Sequence, residues 1–149
     1  DHRESNSYIW YYDLNEQKET KTSLDVSKYI EDLYNINHKK VYSDNRDGLL
    51  NYDIFINESG VETQITFTQD RSELMPHIHK NYISYIEHKK DYVVHLYNIK
   101  TKEDIVISNK GSLGNSDIQN SVKIYDGIVV WFTCENDWCA NEELYVYII

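Results

Sequence analysis

The sequence predicts an all-β fold, specifically a β-propeller whose blades each hold four antiparallel strands. Three observations predict it. The chain is rich in strand-favouring aromatics, with 14 Tyr and 3 Trp against 5 Gly and 1 Pro. Its sequence repeats with a period of about 43 residues. Each repeat resolves into short runs with apolar residues at alternate positions, the pattern of a strand that buries one face.

The repeats begin near residues 1, 44, 87 and 135, marked by Asp1-His2-Arg3, Asp44-Asn45-Arg46, Glu87-His88-Lys89 and Glu135-Asn136-Asp137. An aromatic-rich strand follows each marker, over 8–14, 52–56, 92–99 and 144–149. A polar turn then leads to a strand opened by glutamate, at Glu19, Glu62 and Glu103. Two further strands complete the unit, one over 33–37, 75–79 and 121–125, the other over 40–43, 82–86 and 128–132. Ile36, Ile78 and Ile124 hold equivalent places in the first of these. The stretch 25–33 has helical spacing and reads as a connecting loop with at most one turn.

With strands lettered a to d from the propeller axis outward, the chain reads cd, abcd, abcd, abc, a single propeller segment over 1–149. About three and a quarter repeats are too few to close a ring of four or more blades. The expectation is therefore a longer chain or self-association in which two copies complete the ring.

The run at 52–66, followed by Met75-Pro76-His77-Ile78-His79 and Tyr82-Ile83-Ser84-Tyr85, resembles the TolB-like blades of bacterial and archaeal periplasmic and cell-surface propellers. The resemblance covers nearly the whole chain at the level of fold. Pro76 is the one proline kept from that pattern, and few of its turn glycines remain. What the resemblance implies is an exported binding or scaffolding surface; it brings no catalytic residues and no cofactor.

Composition narrows the partners. The chain has 25 acidic against 15 basic residues, a formal charge of −10, so nucleic acid and anionic membrane surfaces are repelled. No run of 18 apolar residues is present, and none of the sequence reads as a membrane span or a signal peptide. The remaining partner classes are a protein, a peptide or a glycan. The expected location is secreted, periplasmic or at the cell surface.

Individual residues add candidates. Cys134 and Cys139 flank a four-residue loop and are read as a disulfide; a metal site there lacks a second ligand pair. His77 and His79 lie two apart on one strand face, the spacing of a paired imidazole metal site, but Asn35 and Asn37, or Lys123 and Tyr125, fill the equivalent places. No metal is assigned to them. Ser43-Asp44-Asn45-Arg46-Asp47-Gly48 has alternating oxygen donors before a glycine, as in calcium loops, yet lacks the acidic closing ligand; it reads as a turn held by Asp44 and Arg46. Asn57-Glu58-Ser59 is a glycosylation sequon on a turn. Tyr8, Tyr11 and Tyr12 are read as packing residues ahead of a sugar or peptide platform. No Gly-x-Ser-x-Gly elbow is present, and Glu142 and Glu143, being adjacent, point to opposite faces of a strand. The expected function is non-catalytic binding; the alternative is the propeller of a lyase or peptidase whose catalytic residues lie outside this segment.

Overall fold

A computed structural model of the protein describes residues 10–13, 17–21, 39–46, 51–90, 92–108, 122–134 and 142–149. Among them are twelve strands and no helix. The strands are β1 (Trp10–Asp13), β2 (Lys18–Lys21), β3 (Lys39–Asp44), β4 (Asp53–Glu58), β5 (Val61–Gln64), β6 (Ser72–His79), β7 (Tyr82–His88), β8 (Tyr92–Asn98), β9 (Asp104–Val106), β10 (Lys123–Tyr125), β11 (Ile128–Cys134) and β12 (Glu142–Ile148).

They form four open antiparallel sheets in which each strand pairs with its neighbour in the chain: β1-β2, β3-β4-β5, β6-β7-β8-β9 and β10-β11-β12. Only the third sheet has four strands among the described residues. The others have two or three. The strand expected over 33–37 and the loop expected over 25–33 lie outside the described residues, so the second sheet is described without an a strand.

Local chemistry sets the hairpins. The β4–β5 turn uses Ser59 and Gly60 at φ of 53° and 90°, and the β10–β11 turn uses Asp126 and Gly127 at 43° and 81°. Two consecutive positive φ values match the right-handed twist of the flanking strands in a two-residue hairpin. Asn57 Oδ1 braces the first turn by accepting from the amide of Gly60 at 3.0 Å.

The third sheet sits between its neighbours and is apolar on both faces. Ile78, Ile83, Tyr85 and Tyr97 pack with Val41, Ile54 and Ile56 of the second sheet. Ile86, Val94 and Leu96 pack with Val122, Ile124, Val129 and Trp131 of the fourth. Along β7 the side chains alternate between these cores, with Ile83 and Tyr85 on one side and Tyr82 and Ile86 on the other.

A bulge interrupts β6 between Leu74 and His77. Met75 has a φ of 55° there, and Pro76, which has no amide hydrogen to offer a ladder, is accommodated beside it. The extra residue flips the alternation. Glu73 is therefore on the same face as Ile78, while His77 and His79 share the opposite face.

Candidate functional site

The segment joining β5 to β6, residues 65–71, crosses from the second sheet to the third. Its backbone polar groups need partners, and a buried carboxylate takes one amide and one side chain of this stretch and the side chain of Gln64 just before it. Asp53, at the start of β4, is 3% exposed. Its Oδ1 accepts from the Thr66 hydroxyl at 3.2 Å and from the Thr68 amide at 3.2 Å, and its Oδ2 accepts from Gln64 Nε2 at 3.1 Å. Thr66 Oγ1 in turn accepts from the Ile54 amide at 2.8 Å. Asn51 donates its side-chain amide to the Thr68 carbonyl.

These bonds hold the residues on both sides of Phe67. The ring itself is 73% exposed. Further along the same segment, Asp70 pairs with Lys89 and Arg71 Nη1 donates to Glu87 Oε2 at 2.9 Å, which ties the segment to the end of β7 and the turn into β8. There His88 and Tyr92 stack at 4.1 Å between centroids. The salt link to Lys89 holds the Asp70 carboxyl below the usual aspartate value, and the bonds to Glu87 and Asp70 push the Arg71 guanidinium up. The arrangement is an exposed aromatic on an anchored loop. It can act as a contact residue that loses little freedom on binding.

Beneath the loop lies Glu73, 1% exposed. Its Oε1 accepts from the Thr68 hydroxyl at 2.6 Å, and its Oε2 accepts no hydrogen bond. Burial pushes its carboxyl up to about 7 against an ordinary 4.5; the Thr68 and Thr66 hydroxyls oppose this, and the adjacent Asp53 carboxylate adds to it. A protonated Glu73 has a hydrogen to give, and Asp53 is the acceptor at hand. Two carboxyl groups sharing a proton also occur in acid–base catalysis, but both of these are sealed from solvent, and their partners are the loop.

A second polar group occupies the same face of the third sheet. The Tyr85 hydroxyl donates to Asp104 Oδ2 at 2.6 Å and lies 3.3 Å from His95 Nδ1. His95 Nδ1 is 3.2 Å from Asp104 and its Nε2 is 3.6 Å from Glu87 Oε2. Burial first, and the Asp104 carboxylate second, push the Tyr85 phenol up. The phenol is thus a hydrogen-bond donor fixed between neighbours. No three His, Cys, Asp or Glu among the described residues are grouped so as to hold a metal ion.

The sequence candidates fall elsewhere. His77 and His79 share a face, as expected, but that face meets the fourth sheet: His77 Nδ1 accepts from the Ile124 amide at 3.4 Å and His79 packs on Tyr125 at 4.9 Å. Burial lowers the His79 pKa below its usual value. Asp44 and Arg46 do hold their turn, through Arg46 Nε and Nη2 to Asp44 Oδ2 at 3.1 and 2.7 Å, while Asp47 and Gly48 lie outside the described residues. The guanidinium of Arg46 lies 3.9 Å over the Phe55 ring. Cys134 ends β11; its side chain and Cys139 lie outside the described residues, as do Tyr8 and the side chains of Tyr11 and Tyr12.

Sequence reasoning missed Asp53, Thr66, Phe67, Thr68 and Glu73. The alternation Gln64-Ile65-Thr66-Phe67-Thr68 reads as the continuation of a strand, which conceals the point where β5 stops at Gln64 and side chains take over the backbone's hydrogen bonds. The chain matches no family model, no curated protein and no solved structure.

Proposed function

We propose that the chain is a stretch of β-propeller of the TolB-like kind that works as a non-catalytic binding surface for a protein, peptide or glycan, in an exported setting. The observation that carries the binding role is Phe67, open to solvent between two threonines anchored on Asp53 and Glu73. The four sheets of chain-adjacent antiparallel strands, grouped as two, three, four and three, support the propeller reading. So does the stacking of the third sheet between its neighbours through alternating side chains.

Binding sites for proteins concentrate their energy in a few aromatic anchors surrounded by polar groups. Here the aromatic ring is accompanied by Asp70, Arg71 and Lys89, held by their own ion pairs. The test is a peptide and glycan array probed with the labelled chain, followed by titration of the best binder. Phe67→Ala is expected to weaken binding by about tenfold or more with an unchanged melting temperature. Equal affinity for parent and variant would overturn the assignment of the site.

A further inference from the structure

The chain leaves the outer strand of the second sheet and the outer strand of the third in the same way. The Ile65 amide donates to the Ile54 carbonyl at 2.7 Å, and the Ile54 amide donates to the Thr66 hydroxyl at 2.8 Å. In the third sheet the Ile107 amide donates to the Val94 carbonyl at 2.9 Å, and the Val94 amide to the Ser108 hydroxyl at 2.8 Å. One carbonyl and one hydroxyl therefore suffice to start such a crossing. Val93 stands before Val94 where Asp53 stands before Ile54, so the carboxylate is an addition found on the crossing that carries Phe67.

That addition has no counter-charge. Glu87 of β7, directly across from Glu73, has Arg71 and lies near His95 of β8; Asp44 of β3, directly across from Asp53, has Arg46. Asp104 of β9 takes the Tyr85 hydroxyl beside His95, and β10 meets the opposite face of β6, at His77 and His79. Among the described residues neither Asp53 nor Glu73 has a cationic partner, and Glu73 Oε2 accepts no hydrogen bond. Two adjacent carboxyls, 3% and 1% exposed, repel one another when both are charged. A single proton removes the repulsion and gives the second oxygen a role.

We propose that one proton shared by Asp53 and Glu73 latches the 65–71 segment, and that its loss to solvent frees the Thr68 anchor and with it the position of Phe67. Control of binding by this latch rests on the reading of Phe67 as a contact residue; the latch itself does not. The direction follows from burial. In the closed segment the Glu73 carboxyl sits at about 7, and opened to water it returns toward 4.5. Opening is then increasingly favoured as pH rises from 4.5 to 7 and gains nothing further above 7. Phe67 is presented in a fixed position in acidic surroundings and released above neutrality.

Amide hydrogen exchange followed by NMR tests this at Thr68, whose amide donates to Asp53 Oδ1, and at Ile107 as the counterpart without the acid. Corrected for intrinsic exchange, protection of Thr68 is expected to fall by about tenfold or more between pH 5 and pH 8, and further than that of Ile107. Glu73→Gln, whose amide donates to Asp53 at every pH, is expected to flatten the Thr68 profile. The Glu73 carboxyl carbon resonance of the parent needs no variant and is expected to titrate over the same interval. A Thr68 profile no steeper than that of Ile107, a variant profile as steep as the parent's, or a Glu73 carboxyl that titrates near 4.5 would each overturn the proposal. Exchange requires no binder, so failure of the Phe67 reading, seen as equal binding by parent and Phe67→Ala, is told apart from failure of the latch.

Discussion

The Thr68 hydroxyl donates to Oε1 of Glu73 at 2.6 Å, and this bond joins the loop that carries Phe67 to a carboxyl that is 1% exposed. The loop's conformation is therefore linked to the protonation of a buried acid. Glu73 titrates near 7 in the folded chain against an ordinary 4.5. Between those values the folded state holds more protons than the unfolded state, so this group's contribution to stability falls as pH rises through the window and is level above it. His79, with its pKa lowered by burial, works in the opposite sense as pH falls below 6.5. Because His79 is common to both proteins, the difference between parent and Glu73→Gln isolates Glu73. Melting temperatures from pH 4 to 8 are expected to show a parent that loses stability relative to the variant between about 4.5 and 7. A constant difference would contradict the shifted carboxyl.

Thr68→Val keeps the shape of the side chain and removes its hydroxyl. Glu73 Oε1 then loses its donor inside the protein, at a cost of about 1 to 3 kcal/mol. Urea titration at pH 6 is the measurement. Binding through Phe67 is expected to fall as well, since one of the residues that fix the ring's position is released.

Tyr85→Phe removes the donor to Asp104 without opening a cavity. The expected loss is about 1.5 kcal/mol, the lower end of the range for a hydrogen bond to a charged group. Chemical denaturation reads it directly, and a loss below about 0.3 kcal/mol would show that the Tyr85–Asp104 bond contributes little.

Gly127→Ala tests the hairpin between β10 and β11. An added Cβ meets nothing within 4 Å, so any cost comes from the backbone at φ 81° and not from a clash. A loss of about 1 kcal/mol is expected.

Strand placement was legible because buried strands require period-two patterning. Ile83 and Ile86 had to point to opposite faces, and both faces of the third sheet are covered. Among the described residues, four strands in one sheet are seen for β6 to β9 alone, beside sheets of two and three. The direction of His77 and His79 was harder to read, because the bulge at Met75 and Pro76 resets the alternation, and what lies across from a strand depends on residues 47 positions away, as with Ile124 and His77. The clamped loop was not legible. Asp53, Thr66, Thr68 and Glu73 come together only when β5 ends and the chain turns back into β6, and no local spacing encodes that meeting.

The central claim is that the third sheet lies between two other antiparallel sheets, with Ile78 and Ile83 on one side and Ile86 and Val94 on the other. Methyl-labelled NMR tests it most directly. The account predicts cross-peaks linking Ile78 or Ile83 to Val41, Ile54 or Ile56, and a separate set linking Ile86 or Val94 to Ile124 or Val129. A spectrum in which Ile83 and Ile86 share the same neighbours, or in which either set is missing from the folded chain, would contradict it.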